Sequence, residues 1–474
     1  MMPRSVACAV AAVVALAGCA GMQHGLGFDN VRQDVGQRTG MLVQWDSGSN
    51  ADLDARAAVR DLLGQALTAD AATQVALLNN RELQAVYEEL DIAQADLVQA
   101  GLLRNPVFSG EIRWSSDGGP GIVIDVAQDF VSVLLAPLRK ARAQAAFESA
   151  KQRVTAAVLD LAGQTREAFY DLQASEQLLE MRRSIVEATA ASRELAERLR
   201  AAGNNRELDV ANERALHEQS NLDLAAAEAD AIARRERMNE LMGLWGDDAS
   251  AWYITARMPG VPDAESDATG LERRAVERSL ALTVARGEVE IAARELGIVK
   301  PFGSIDQAEI GIAAERETEG DWSVGPSLTL PIPLFDQGQA AIGAAGARLR
   351  QARERYFAAA VRVRAEARAA YAAATAARDR ALYFERVMLP LRQTIVDETL
   401  LQYNAMQVGA FQLIMAKRDQ IETGAQYVAA LRDYWLARSR LDHILAGGSS
   451  RGMLHAALNQ SMTAGIGSSR NGGH

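Results

Sequence analysis

The chain of 474 residues has two cysteines, Cys8 and Cys19, and both lie within its first nineteen residues. No internal disulfide can therefore staple the remainder. Aromatic residues make up only 5% of the chain, too few for a large aromatic core, whereas alanine is plentiful, as in closely packed helices. Beyond the N-terminus no apolar run reaches the roughly 18 residues that a membrane-crossing helix requires. A membrane-spanning element of the mature chain would therefore have to be a closed barrel, because unpaired backbone is too costly in lipid. The histidines, His24, His217, His443, His455 and His474, are scattered without ligand spacing, so no metal site is expected. No glycine-rich phosphate loop, nucleophile elbow or cysteine-based site appears. Neither an enzyme nor a cofactor is expected. The formal charge of −11, with no basic stripe, argues against a nucleic-acid partner.

What is present begins with a targeting segment. Arg4 supplies a minimal positive region, Val6 to Leu16 an apolar one, and Leu16-Ala17-Gly18-Cys19 matches the bacterial lipobox. Residues 1–18 read as a signal peptide and Cys19 as a lipidated, palmitate-bearing N-terminus; ordinary cleavage near Ala20 is the alternative. Ala20, rather than Asp, after the cysteine favours the outer membrane. Residues 19–58 show no lasting period and read as an extended arm.

The rest of the chain states one plan twice, over 59–246 and 271–447. The first copy starts with a helix from about Val59 to Ala100, with a break offered at Thr68-Ala69-Asp70. A β-hairpin follows over 107–130. Phe108, Gly110, Ile112 and Trp114 share one face of its first strand, and Ile122, Ile124 and Val126 one face of its second. Ser115 to Pro120 forms the turn. The second hairpin, 305–332, sets Ala308, Ile310, Ile312 and Ala314, then Trp322, Val324, Leu328, Leu330 and Ile332, against polar positions. Glu317 to Asp321 is its turn. Each hairpin leads into two long helices, 139–201 and 206–243 in the first copy, 337–406 and 410–446 in the second. Val154, Val158, Leu161, Thr165, Ala168, Leu172, Ser175, Leu179, Arg182 and Val186 alternate fours and threes, the period of a coiled-coil seam. The helix 139–201 would extend about 95 Å at roughly 1.5 Å per residue. Residues 247–270 form a compact linker, and 448–474, rich in Gly, Ser and Asn, a flexible tail.

Four strands cannot close a barrel, since small membrane barrels start near eight, and an open edge is not tolerated in lipid. If these strands span a membrane, several copies of the chain must pool them. The fold class expected is thus mostly α with a small transmembrane β-barrel part.

Three segments resemble the TolC family of outer-membrane efflux ducts, in its lipoprotein branch. Gly325-Pro326-Ser327-Leu328-Thr329-Leu330-Pro331-Ile332-Pro333-Leu334-Phe335-Asp336-Gln337-Gly338 resembles the family's strand leading into the second long helix. Ala202-Gly203-Asn204-Asn205-Arg206-Glu207-Leu208-Asp209-Val210 resembles the first helical tip, and Leu241-Met242-Gly243 the end of the first repeat. The resemblance covers about 60–447. It implies a homotrimeric α/β barrel duct in the outer membrane, extending into the periplasm. It also implies passive conduction for an inner-membrane efflux pump and a periplasmic adaptor, with the linker at the equator of the tube.

By the same resemblance Gly203, Asn204, Leu208, Val408, Gly409 and Phe411 match the tips where adaptors dock, and Leu413, Ile414, Met415, Arg418 and Asp419 lie at the periplasmic entrance. Met415 and Arg418 stand where carboxylates are usual, which puts an acidic selectivity ring there in doubt. The polar strand faces carry Glu111, Asp125, Asp129, Glu309 and Glu315 against Arg113, candidates to line an acidic pore. The competing expectation is a non-conducting periplasmic coiled-coil adaptor or scaffold lipoprotein. Two hairpins of each kind count against it. Drugs, metal ions and other solutes all remain open as cargo.

Overall fold

The computed structural model describes residues 24–114, 120–255, 257–262, 269–302, 308–316 and 321–449. The signal peptide, Cys19, the turns at 115–119 and 317–320, Ile305 to Gln307 and the tail from 450 onward lie outside the described residues. The chain divides into two compact units that cut across the sequence repeats. One unit takes 1–29, 87–152 and 283–358, the other 30–86, 153–282 and 359–474. Each unit draws segments from both copies: the two hairpins join edge to edge in one sheet, and the long helices of the two copies share one core.

The supposed arm is largely helical. Helix α1, Phe28–Thr39, buries Phe28, Val31 and Val35 at helical spacing. Helix α2, Asn50–Leu63, starts from a capping box at Ser49 and Asp52. The buried Asp52 carboxylate accepts from Gln44 Nε2 at 2.8 Å and from the backbone N–H groups of Ser47 and Ser49 at 3.1 and 2.6 Å. Burial pushes its pKa up, yet these hydrogen bonds outweigh burial and hold the group below the ordinary aspartate value. The expected 59–100 helix is three pieces. After α2 come strand β1, Ala66–Leu67, helix α3, Ala69–Asn79, and helix α4, Arg81–Gly101.

In the first unit, strands β2, Val107–Trp114, and β3, Pro120–Asp129, pair with β5, Glu309–Arg316, and β6, Trp322–Thr329. They make one antiparallel sheet in the order β2-β3-β5-β6. The two predicted hairpins thus join through β3 and β5. Gly311 is required at that seam, because a Cβ there would lie 2.5 Å from the Val126 carbonyl and 2.6 Å from Ser327 Oγ. Strand β6 stops at Thr329 rather than Ile332, since Pro331 and Pro333 cannot donate to a ladder. Gly25 N donates to Asp91 Oδ1 at 3.1 Å and Phe28 meets Tyr87 edge-on, 5.0 Å between centroids.

Helix α5 runs Phe130–Ala201, 72 residues, and so begins nine residues before the expected Arg139. Asp129 caps it, accepting from Ser132 N at 2.9 Å, so strand passes straight into helix. Pro137 lacks the N–H that would bond the Val133 carbonyl; beside it, Arg139 Nη2 donates to the Ser132 carbonyl at 2.9 Å.

In the second unit, α5 packs with helix α6, Glu207–Met242. The linker folds as α7, Asp248–Ala251, and β4, Tyr253–Ile254. Strand β4 pairs in parallel with β1, a second small sheet that the alternation pattern missed. Helices α8, Leu271–Arg278, and α9, Leu280–Phe302, open the second copy. Then come α10, Gln339–Tyr383, a π turn Phe384–Met388, α11, Leu389–Asn404, and α12, Ala410–Ala446. The π turn sits just before Pro390, whose missing N–H and bulky ring disrupt the α ladder there. Ala174, Met258, Ala381, Val428, Ala430 and Leu431 form a core cluster, with Leu178, Met181 and Phe384 packed on it.

The predicted seam of α5 holds through Ser175, with Val154, Val158, Leu161, Thr165 and Leu172 buried. It then slips by one residue. Leu178, Ile185, Thr189, Ser192 and Ala196 carry it onward, instead of Leu179 and Val186. Two successive threes in the spacing make the shift. A polar cluster marks the new register: Thr189 Oγ1 lies 2.7 Å from Ser220 Oγ and 3.3 Å from His217 Nδ1.

Both copies end at a matching junction. Asn79 Nδ2 donates to the carbonyls of Met242 and Gly243, and Asn80 Nδ2 to that of Leu241. Asn80 Oδ1 also caps α4 at Leu83 N. In the second copy Leu280 N bonds the Gly447 carbonyl, Ser279 Oγ accepts from Leu282 N, and Arg38 Nη1 donates to Arg278 and Ala446 carbonyls.

Asp52→Asn is expected to cost about 1–3 kcal/mol at neutral pH, by uncoupling buried charge-assisted hydrogen bonds. A carboxyl with a depressed pKa stabilises above its unfolded value and loses that contribution as pH falls through the folded one. Thermal midpoints of the two proteins should therefore converge on acidification below the ordinary aspartate range; divergence would contradict this.

Candidate functional site

The four strands are in a register that gathers like with like. Phe108, Val126, Ile312 and Pro326 stand in one row, and Gly110, Ile124, Ala314 and Val324 in the next. With Ile112, Ile122, Trp114 and Trp322 they make one mainly apolar face, which Arg316 and Gln128 also enter. Most of this face is exposed: Phe108 is 69% accessible, Trp114 79% and Val324 69%. An area of this kind on a free sheet marks contact with lipid or protein. The outer strands β2 and β6 each pair on one side only.

All six charged candidates fall on the opposite face. Glu111, Val123, Glu315 and Ser323 form one row, and Ser109, Asp125, Ala313 and Gly325 another. Arg113 grips Glu111 with two bonds of 2.9 Å. Asp125 Oδ1 accepts from Ser327 Oγ at 2.8 Å. Asp129 faces Glu309 across the β3–β5 ladder, a like-charge pair that would be unfavourable alone. Arg104 Nη1, 3.1 Å from Asp129 Oδ2, offsets it. Asp129 is thus a helix cap and an ion-pair partner more than a free lining group. The sequence reading missed Arg104, although its place just before Asn105-Pro106 and the first strand was a usable signal.

The helical tips are built alike from different residues. In the first, Gly203 N bonds the Arg200 carbonyl and Asn204 N the Leu199 carbonyl; in the second, Met406 N bonds Tyr403 and Gln407 N bonds Gln402. This is the same helix-ending motif twice. Gly203 has φ of +80° and Met406 has φ of +59°. The counterpart of Gly203 is therefore Met406, not Gly409 as the sequence suggested. Gly409 is extended and caps α12, where its N–H donates to Gln412 Oε1 at 3.1 Å. Arg206 holds the equivalent place before α6, its N–H donating to Asp209 Oδ2 at 3.3 Å. The Arg206 side chain also bonds Asp209 and lowers that carboxyl's pKa. Leu208 is 64% and Met406 94% exposed; Asn204 is exposed, and Val408 and Phe411 are half-buried.

At the candidate entrance, Leu413, Ile414 and Arg418 are half-buried on α12 and Met415 is exposed. Asp419 Oδ2 lies 3.4 Å from Arg392 Nη1 of α11, and the neighbouring Gln420 bonds Gln393. Within one chain this carboxylate already has a cationic partner. Among the described residues no group of three or more His, Cys, Asp or Glu could hold a metal ion, and no helix is long and apolar enough to cross a membrane.

No protein-family model matches the chain. The cobalt-zinc-cadmium resistance protein CzcC of Cupriavidus metallidurans is 24% identical over 388 residues, 80% of this chain and 90% of that protein. Among solved structures, the outer-membrane protein VceC of Vibrio cholerae aligns with a TM-score of 0.65 at 17% identity, over 80% of this chain and 96% of VceC. CusC, described in connection with transmembrane channel formation, aligns at 0.62 and 15% identity over 81% and 92%. The chain has the TolC-type outer-membrane channel fold. Within that fold the resemblance noted at Gly325–Gly338 falls on β6 and the segment entering α10, and the one at 202–210 on the first tip.

Met406→Gly should stabilise the second tip by about 1 kcal/mol, and Gly203→Met should destabilise the first by a similar amount, because only glycine enters the left-handed region without steric cost. Amide exchange protection in the last turns of α5 and α11 reads each effect. Faster exchange in Met406→Gly would overturn the assignment.

Proposed function

We propose that this chain is the exit duct of a tripartite efflux system, a homotrimer whose pooled strands close a barrel in the outer membrane. The sheet supports this reading above all else: one apolar face, one acidic face and two unpaired edges. Lipid demands that those edges be paired, and copies of the same sheet can pair them β2 to β6. The apolar face then meets lipid and the acidic face lines water. The helical hairpins continue the tube into the periplasm, where an adaptor docks at the tips and an inner-membrane pump supplies the energy. Conduction through the duct itself is passive.

Cys19 carries the lipid anchor in this reading. Five residue steps from Cys19 to His24 reach at most about 17 Å. His24 is bound to Asp91 on α4, and α4 advances about 15 Å from Asp91 to Gly101, just before the first strand. An acyl chain on Cys19 can therefore attain the level of the sheet.

The cargo we assign is divalent transition-metal cations, in line with the name of the relative CzcC. Per chain, the acidic face sets Glu111, Asp125, Asp129, Glu309 and Glu315 against Arg113 and the nearby Arg104. Repeated around a lumen, that excess of carboxylate concentrates cations.

Purified trimer in planar bilayers should prefer cations, and the preference should fade between about 0.1 M and about 1 M salt, as the screening length shrinks from about 10 Å to about 3 Å. Glu111→Gln with Glu315→Gln should weaken it. Equal or greater anion permeability would refute the acidic lumen. Deleting the gene should sensitise cells to cobalt, zinc or cadmium; unchanged tolerance to all three would refute the cargo.

A further inference from the structure

The second unit holds a cavity of about 550 Å³ between α5, the C-terminal part of α12, the start of α3 and the linker after β4. Its size suits a small-molecule or oligomer site. Neither the duct surface nor the tips use it.

One wall is aromatic. Tyr170 stacks on Trp435 with ring centroids 5.1 Å apart and planes inclined by 21°. Trp435 is held in place by its Nε1–H, which donates to the Pro259 carbonyl at 2.8 Å. Tyr434, itself fully buried, meets the indole edge-on. The shelf is therefore rigid rather than a pair of loose surface rings, and both of its rings line the cavity.

The other walls are polar, with Arg166, Arg257 and Arg438 set against Asp70 and Asp442. Arg166 pairs with Asp70 at 2.5 Å, and Arg438 Nε lies 3.0 Å from Asp442 Oδ2. Such pairs present planar donors beside carboxylate acceptors. At the back, Gln173 is 1% exposed. Its Nε2 donates to the carbonyls of Thr255 and Arg257, at 2.8 and 2.9 Å, and lies 2.9 Å from Thr255 Oγ1. Its Oε1 is buried and has no hydrogen-bond partner. A buried acceptor left in this state asks for a donor.

We propose that this cavity binds the amino-sugar glycan of the bacterial cell wall, laying a sugar ring on the Tyr170–Trp435 shelf and presenting a hydroxyl or amide N–H to Gln173 Oε1. The chemistry discriminates in favour of this class. A sugar ring offers an apolar C–H face to an aromatic shelf and a rim of groups that both donate and accept. The paired arginines and aspartates can share that rim without either charge being left alone. A purely apolar ligand would leave Gln173 unsatisfied. The proposal goes beyond the duct reading and is read out without any measurement of transport.

Full-length trimer in detergent should co-sediment with purified sacculi, and chitotetraose should compete. Trp435→Ala and Gln173→Leu should each weaken binding about tenfold, whereas Trp435→Phe, which keeps an aromatic face, should remain within about threefold of wild type. The trimer band on unboiled gels and unchanged helicity serve as folding controls for every variant. Sacculi stripped of their stem peptides should still bind. Loss of binding to stripped sacculi would assign recognition to peptide and overturn the proposal. So would no sedimentation of wild type, failure of chitotetraose to compete, or equal binding by the folded Trp435→Ala and Gln173→Leu proteins.

Discussion

A backbone N–H or C=O cannot be left unpaired in lipid, and the proposed assembly of this chain follows from that constraint. Strands β2 and β6 each expose one side of their ladder. In water that is a liability to be managed. In a bilayer it compels association with further strands, and the proposed trimer is the way four short strands per chain become a closed wall. The duplication serves the same end, because joining β3 to β5 removes two of the four edges that separate hairpins would have. Gly311 lets that join form, with the Val126 carbonyl and Ser327 hydroxyl crowding the place a side chain would take.

Where sheet meets helix, no loop intervenes between β3 and α5. Asp129 ends the strand and caps the helix in one residue. The remaining helix ends are handled with the same economy. Asn80 serves two helices at once, capping α4 and binding a terminal carbonyl of α6. The second copy reaches a like junction with Ser279, Gly447 and Arg38. At the tips, Gly203 and Met406 make one hydrogen-bond pattern from unlike side chains. Duplication is thus preserved in backbone geometry where it has faded from residue identity.

Much of this was legible beforehand, and for identifiable reasons. Period-two alternation placed both hairpins, and the joint register of Phe108, Val126 and Ile312 kept the apolar residues within the strands on the face the pattern assigned, while Ala308, Leu330 and Ile332 fell outside them. The four-three spacing of α5 traced its seam as far as Ser175. Beyond that point the pattern offered two near-equal stripes, and the pairing of Thr189 with Ser220 and His217 marks the one that is buried. The stretch 20–58 looked formless because α1 is short and its apolar residues, Phe28, Val31 and Val35, are few. Its capping box at Ser49 and Asp52 is a local sign of a helix start. Strand β1 is two residues long, below anything a periodicity argument can detect.

The sequence by itself determined the longest helices and the two faces of the four paired strands. Alternation and helical spacing are local properties, fixed by where apolar side chains fall along a strand or a turn. Only the tertiary structure decided which faces meet and which residues carry a role. It joined β3 to β5, cut the two compact units across the repeats, and placed the second tip's left-handed residue at Met406. It also tied Asp129 to Arg104, and Asp419 to Arg392. Those outcomes depend on distances between residues remote in the chain, and pairing, packing and charge compensation act only across such distances.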